Sequence, residues 1–575
     1  MKYLFPYLKK YKTESILAPL FKMLEACFDL IVPVIVANII DKGIVNGDKI
    51  YILTRFGLLI LMAILGLASS FTAQYFAAKA AIGTSAGLRH DLLKKIQSLS
   101  YTELDNVGTS TLITRMTSDV NQVQNGLNMF LRLFMRSPFI VFGSMIMAFM
   151  INFDLAMIFV VAIVLLFIIV FGIMKITNPL YKKVQGNLDG VTEETRENLN
   201  GVRVIRAFCR EEIQKKQFCE SNNKLLKSQL KVGDISALLN PLTYVVVNAV
   251  IIAVLWIGSA KVDSGVLLSG NIIALINYIG QILIELVKLA NFIVLIGKSV
   301  ASMGRVGQVL DMKSSLVYGD KTVDAVSENC EAVRFENVSM HYSGAGEESL
   351  SDINFTVRKG ETVGIIGGTG SGKTTLVNLI PRFYDASNGT VYLNGIPIQD
   401  FDKEYLEKSV AVVPQKALLF AGTVRSNMLW GNKNASDEEI WEALELSQAA
   451  EFVRKKENGL DEVVEQSGSN LSGGQKQRLT IARALIKKSK ILILDDSSSA
   501  LDYATDAALR KALKTLPSDT TVFIVSQRTG SIAHADKIVV LDDGKAVGIG
   551  THEELLVNCD VYREIYESQF KKEGE

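Results

Sequence analysis

Six apolar runs, each long enough to cross a bilayer, constrain this 575-residue chain more than any other feature. Lipid offers no partner to a backbone N–H or C=O, so a spanning segment must be a helix of about 20 apolar residues. The runs place spans at 15–40, 52–80, 128–151, 155–176, 237–258 and 272–298. All lie before residue 300, while residues 332–575 have the composition of a water-soluble protein. That division accounts for a chain that is 49% hydrophobic and still 21% charged.

The links between the runs are unequal. Asp41–Tyr51, Asn152–Leu155 and Gly258–Asn271 are short and hold no arginine, whereas the links at 81–127 and 177–236 are long and basic. Arg89, Lys94, Lys95, Arg115, Lys182, Lys183, Arg203, Arg206, Arg210, Lys215 and Lys216 all fall in the long ones. Positive charge marks the cytoplasmic side. The expected topology is a multi-pass protein of the cell membrane (a bacterial inner or plasma membrane) with both termini cytoplasmic. The long links lack Pro/Gly-rich character, so the spanning helices should continue into the cytoplasm. Met1–Thr13, aromatic and basic without a small-residue cleavage site, reads as an amphipathic lead-in.

A net charge of +1 gives no basis for nucleic-acid binding. Cys27, Cys209, Cys219, Cys330 and Cys559 are scattered without metal-ligand spacing and read as reduced structural thiols. Charges inside the spans are the candidate substrate-facing residues. Glu25 and Asp29 share a face of the first span and Arg132 and Arg136 a face of the third. Glu285 and Lys288 lie one turn apart in the sixth, which also carries the polar Asn277. Such charges must face a water-filled path or one another, and the sequence leaves both open.

Residues 304–331 read as a linker, and from Ala332 β-branched runs alternate with helical stretches in the pattern of an α/β domain. Within it, Gly367-Gly368-Thr369-Gly370-Ser371-Gly372-Lys373-Thr374 follows the apolar run Thr362–Ile366 and precedes a helical run from Thr375. This is a phosphate loop in its strand–loop–helix setting: glycines bring backbone N–H groups onto phosphates, Lys373 reaches the β- and γ-phosphates, and Thr374 ligates Mg²⁺. The run Ile491–Leu494 ends in Asp495, a second Mg²⁺ ligand.

With Leu471-Ser472-Gly473-Gly474-Gln475 ahead of a helical run, the chain resembles the ATP-binding cassette superfamily, whose signature this is. Other family motifs stand in order. Tyr342 matches the aromatic that stacks on adenine, and Thr375 continues the phosphate-binding helix. Gln415 matches the glutamine that senses Mg²⁺ and faces the membrane domain, and Ser499-Ala500-Leu501-Asp502 matches the D-loop. The resemblance implies ATP and Mg²⁺ as cofactors. It implies an all-α six-helix transmembrane domain of exporter type (1–303), the linker, and an α/β P-loop nucleotide-binding domain (332–575). It also implies that Ser472 and Gly474 cap a nucleotide held by a second half-transporter, so two chains make a transporter. Leu112–Val120 and Gly201–Glu211 resemble the coupling segments that dock beside the glutamine loop.

Two positions depart from the family pattern. Asp496 stands where a glutamate positions the attacking water; it is one methylene shorter, which draws its carboxylate back by about 1.5 Å. A misplacement of that order can cost about 100-fold in rate. Gln527 stands where the switch histidine is expected and cannot carry an imidazolium charge. Gln466, in the acidic loop before the signature, is a third oddity. Asp496 and Gln527, two losses at one γ-phosphate beside an intact phosphate loop and signature, make the chain resemble the degenerate-site subunit of heterodimeric bacterial multidrug-type exporters. The expected enzyme is an ATP-hydrolysing translocase whose own site is weakened, its partner a different chain, and its cargo an amphipathic compound, peptide or lipid. A homodimeric exporter, an importer of metal-chelate type and a non-transporting regulatory subunit are the alternatives.

Overall fold

The computed structural model describes residues 3–322 and 331–570; Met1, at the start of the lead-in, and Cys330, at the end of the expected linker, lie outside the described residues. The chain forms two compact units. One comprises Met1–Gln97 with Ser110–Met312, the other Ser98–Thr109 with Lys313–Glu575.

The first unit is helical. Among the described residues, six segments are long and apolar enough to span a membrane: Phe5–Ile44, Lys49–Ser98, Thr109–Ile151, Phe153–Asn200, Glu211–Asp263 and Ser269–Asp311. Lys49–Ser98 alone runs 50 residues, about 75 Å at 1.5 Å per residue, against a hydrocarbon core of about 30 Å. The helices therefore extend well past the bilayer, as the long polar links led one to expect. The final helix continues to Asp311 because Met303, Val306 and Val309 keep a buried stripe at helical spacing. The linker expected from residue 304 thus begins only at Met312. Beyond it, Gly319 and Lys321 donate backbone hydrogen bonds to the carbonyls of Gln399 and Asp400 (3.0 and 3.1 Å).

The third span is interrupted. Helix Val120–Leu133 ends and helix Arg136–Ile151 starts afresh, with Phe134 and Met135 in a turn between them. Pro138 is the cause: its ring crowds the carbonyl four residues back, at Phe134, and it supplies no N–H. Arg132 and Arg136, expected on one continuous face, accordingly sit on opposite sides of the break.

Arg136 gathers the membrane charges. Its Nη1 lies 2.5 Å from Glu285, and its Nη2 lies 2.9 Å from Asp29 and 3.8 Å from Glu25. Lys22 pairs with Glu25 (2.5 Å), Lys288 with Glu285 (2.9 Å), and Ser137 Oγ donates to Glu285 (2.7 Å). Three cations and three carboxylates from the first, third and sixth spans thus form one neutral cluster, with Glu285 only 3% exposed. Of the two readings open for these side chains, pairing between helices is the arrangement present. At the other end of the first span, Asp41 Oδ1 accepts from the backbone N–H of Gly270 (2.7 Å), capping the start of the sixth.

The second unit is built on twelve strands: β1 (Glu331–Met340), β2 (Leu350–Arg358), β3 (Thr362–Gly367), β4 (Asn388–Leu393), β5 (Ile396–Pro397), β6 (Val410–Val413), β7 (Gly422–Thr423), β8 (Val463–Val464), β9 (Ile491–Asp495), β10 (Thr521–Val525), β11 (Lys537–Asp542) and β12 (Lys545–Gly550). The order β12-β11-β3-β10-β9-β6 makes a sheet that is parallel except for the edge strand β12. A second, antiparallel sheet has the order β2-β1-β4-β5, and β7 pairs with β8. β9 is buried along its whole length, which explains its unbroken apolar run Ile491–Leu494.

Breaking the membrane cluster on one side leaves buried carboxylates without a cation. Arg136→Met is expected to destabilise the membrane unit by about 3–5 kcal/mol, read as a lowered unfolding midpoint in detergent. Adding Glu285→Gln should restore part of the loss.

Candidate functional site

In a parallel sheet ligands meet the carboxyl ends of the strands. Here four neighbouring strands deliver their successors to one place. β3 leads into the loop Gly368–Gly372, β10 into Gln527, β9 ends at Asp495 with Asp496 following, and β6 leads to Gln415. Together they line a cavity of about 240 Å³ whose walls include Thr369, Gly370, Gly372, Lys373, Thr374, Thr375, Gln415, Asp495, Asp496 and Gln527. The loop requires glycine at 372: φ is +93°, and a Cβ there would lie 2.6 Å from the carbonyl oxygen of Ser349. Helix Lys373–Leu379 starts directly after it, presenting unpaired N–H groups to the cavity mouth.

Lys373, 9% exposed, donates through Nζ to the carbonyls of Gly367 (3.0 Å) and Gly368 (2.5 Å). Thr374 Oγ1 lies 3.2 and 3.0 Å from the two carboxylate oxygens of Asp495. A hydroxyl and a carboxylate side by side suit Mg²⁺, which takes one or two protein oxygens and completes its shell with phosphates and water. Gln415 Nε2 reaches Asp496 Oδ2 at 3.5 Å, so the third expected Mg²⁺ contact and the carboxylate expected to position water are neighbours. Burial pushes both aspartate carboxyls above their ordinary value, the charge of Asp496 adding to the effect on Asp495; burial likewise lowers Lys373.

Tyr342 stands outside this cavity, half-buried, its hydroxyl donating to Thr375 Oγ1 (3.1 Å) and its ring edge-on to Tyr384 (5.1 Å). Tyr384 leads onward. Its hydroxyl donates to Asp105 (2.6 Å), and Tyr101 packs against Phe383 (4.6 Å) and Tyr384 (6.0 Å). The helix Tyr101–Val107 therefore belongs to the same compact unit as the nucleotide cavity. Ser100 and Glu103 close its N-terminus in a capping box, and Glu103 also accepts from the backbone N–H of Ser315 (3.2 Å). Leu112–Val120 belongs to the membrane unit, where buried Asp119 accepts from Arg115 (2.8 Å) and Arg305. The other expected segment, Gly201–Glu211, forms the short helix Val202–Ala207 with Val204 and Phe208 exposed.

The signature lies apart from the cavity: none of Leu471–Gln475 is among its walls. Ser472 caps helix Gly473–Leu485, accepting from Gln475 N–H, while the Gln475 side chain accepts from Ser472 N–H in a capping box. Gly474 passes beneath the D-loop, where a Cβ would meet the carbonyl of Ala500 at 3.1 Å. Asp502 caps helix Tyr503–Leu513 through Thr505 (2.8 Å to N–H), a local structural duty. Gln466 opens a single tight turn that runs to Gly468. Of the remaining membrane candidates, Asn277 is exposed and bonds its own helix at Ile273 O (2.9 Å), and Arg132 keeps a buried Nε without a partner.

Comparison with known proteins decides the family. Residues 15–286 match the model of the ABC transporter transmembrane region, and residues 350–499 that of the ABC transporter domain. The chain is 36% identical, over 99% of its length and 98% of the relative's, to the ABC transporter ATP-binding protein YfiB of Bacillus subtilis. The chain belongs to the ABC transporter family. Another relative is an ATP-dependent lipid A-core flippase of Hahella chejuensis, 31% identical over 90% of this chain and 88% of that one. In fold it matches a bacterial Atm1-family ABC exporter with ATP bound, with a TM-score of 0.81, 23% identity and 99% of each chain covered. It is thus a multi-pass, ATP-driven ABC half-transporter of exporter fold, with a cytoplasmic ATPase domain.

Some contacts of this ABC chain were not foreseen. Ser349 and Val525 line the cavity, Ser137 serves Glu285, and Tyr101, Asp105 and Tyr384 make the docked helix. For the last, a signal was available: Ser100-Tyr-Thr-Glu103 has the spacing of a capping box and marks a helix start.

Two outcomes follow from this geometry. Carboxyls whose folded pKa is raised bind protons more tightly folded than unfolded, so the pair weakens the nucleotide-free fold at neutral pH and ceases to do so as pH falls. Asp495→Asn should therefore raise the melting temperature at pH 7.5, by an amount that shrinks as the pH is lowered, while Mg²⁺-dependent nucleotide binding is lost. Tyr384→Phe removes the donor to Asp105, worth about 1 kcal/mol; amide exchange in Tyr101–Val107 should quicken by about fivefold.

Proposed function

We propose that this chain is the slow-site half of a heterodimeric exporter, holding ATP at its own cavity while completing a faster site on a different partner chain. Lys373 and the loop N–H groups bind the β- and γ-phosphates, Tyr342 stacks on adenine, and Thr374, Asp495 and Gln415 hold Mg²⁺. When bound, that ion neutralises charge building on the phosphate oxygens. Asp496 orients water from a short side chain, and Gln527 contacts the γ-phosphate without a positive charge. Ser472 and Gly474 offer the signature helix N-terminus to the partner's nucleotide.

One observation carries this reading: the two departures from the family pattern, Asp496 and Gln527, line the same cavity as Lys373 and Thr374. Two independent weakenings aimed at one phosphate, beside an intact loop and an intact signature, fit a site kept for binding and relieved of fast turnover. The signature's separation from its own cavity supports the need for a second chain. The aromatic path from Tyr342 through Tyr384 to Asp105 offers a route by which nucleotide closure pulls on the membrane links, which works only if ATP favours the closed arrangement over the open one.

For cargo we infer an amphipathic molecule, a lipid or a peptide. The flippase relative favours lipid, and Arg132 and Asn277, outside the neutral cluster, are the polar groups left for a passing head group. Glu25, Asp29, Arg136, Glu285 and Lys288 act together as a bolt between spans.

ATPase assays of the chain alone and with its partner, beside Asp496→Glu and Ser472→Ala, test the proposal. Activity is expected to require the partner, to fall by about 100-fold with Ser472→Ala, and to hold or rise with Asp496→Glu. Brisk hydrolysis by the lone chain would make it a homodimeric exporter and overturn the asymmetric scheme.

A further inference from the structure

We propose that Gln569, in the last turn of helix Asp560–Phe570, is a positioning residue for Gln527 and sets where that side chain enters the nucleotide cavity. The inference rests on reading Gln527 as the γ-phosphate contact. After β10 the chain turns through Ser526, Gln527 and Arg528 into the short helix Thr529–Ile532. The turn is fastened to the sheet on its inner side: Ser526 N–H donates to Ile365 O (3.0 Å), and Arg528 N–H to Ser526 Oγ (2.9 Å). Gln569 holds it from the opposite end of the domain's sequence. Its Nε2 donates to the carbonyl of Gln527 (2.8 Å), and its Oε1 accepts from Thr529 N–H (2.9 Å) and Thr529 Oγ1 (3.0 Å).

One amide thus grips the chain on both sides of Arg528. A carbonyl on one side and an N–H on the other leave only one orientation of the amide, so the grip is directional. The helix bearing it is firmly seated. Tyr562 is fully buried and bonded to His552 (2.6 Å), and Tyr566 packs against Phe570 (4.8 Å). The following residues are held independently by the helix after the D-loop, with Arg510 donating to Gly530 O (2.7 Å) and Ser531 to Asp506 (3.1 Å). Loss of Gln569 therefore frees the Gln527 peptide without unfolding the segment, and Gln569 itself is exposed, so substitution leaves the core intact. A side chain that must meet a phosphate within tenths of an ångström depends on where its own peptide is pinned.

Gln569→Glu tests this in the full-length protein, because it keeps length and acceptor but cannot donate to the Gln527 carbonyl. The readout is the rate at which Mg²⁺-loaded TNP-ATP leaves this chain's own site, assigned as the signal that vanishes in Lys373→Ala. Release should quicken by about 3- to 10-fold, the worth of one hydrogen bond. In a Gln527→Ala background, where release is already fast, Gln569→Glu should add nothing. Gln569→Ala should behave alike. Equal acceleration in both backgrounds, or none in the parent, would overturn the positioning role and leave the γ-phosphate reading standing. Unchanged release in Gln527→Ala would overturn both. Hydrolysis does not enter this readout, so the slow-site scheme stands or falls separately on the ATPase assays.

Discussion

An arginine inside a bilayer must bring its counter-charges with it, and Arg136 does so by drawing on two other spans. Its guanidinium reaches Asp29 and Glu285 at once, with Glu25 further off, and the remaining valences are met by Lys22, Lys288 and Ser137. Because the cluster is neutral, its members can be buried together where any one alone would be expelled. The geometry also depends on the turn at Phe134–Met135, which Pro138 forces and which lets the Arg136 helix begin at the depth of Glu285. Apolar contacts between helices in lipid are poorly directional. The cluster gives the first, third and sixth spans a defined register, and the capping of Gly270 by Asp41 gives the first and sixth a second fixed point.

The soluble unit obeys the same logic of satisfied polar groups, with backbone in place of charge. Four adjacent parallel strands end at one edge, and their unpaired termini make the phosphate site. Ser472, Ser436, Thr423, Thr551 and Asp502 each seal a helix start with a side-chain oxygen. Thr374 and Asp495, 121 residues apart, meet because β3 and β9 both flank β10.

Much of this was legible in the residues. The six spans show because lipid demands long apolar runs, and the phosphate loop shows because its glycines are needed for backbone geometry. Asp495 and Asp496 could be placed because a strand buried on both faces reads as an unbroken apolar run. What escaped was tertiary. That Tyr101–Val107 packs with the soluble unit was not legible, since amphipathic link helices look alike until a partner such as Phe383 or Tyr384 selects one. Arg132 and Arg136 share a helical spacing on paper, and only the effect of Pro138 four residues upstream separates them. The linker was set eight residues early because Arg305 and Gly307 look like surface, while Val306 and Val309 continue the buried stripe. Gln569 had no sequence signal, because nothing local says that a glutamine near the terminus will meet a peptide 42 residues earlier.

The helix Tyr101–Val107 bears on how the molecule can be divided. A soluble cassette cut from the chain at Lys313, where the longer segment of the second unit begins, would leave behind a piece of its own packing. Phe383 and Tyr384 would then lie bare, and Asp105 would no longer cover the hydroxyl next to Tyr342. Adjoining aromatic rings exposed to water are an invitation to self-association. The excised domain would therefore be stickier than the intact protein, and the surroundings of Tyr342 softer. An isolated cassette of this chain is a damaged domain, not a smaller version of the whole.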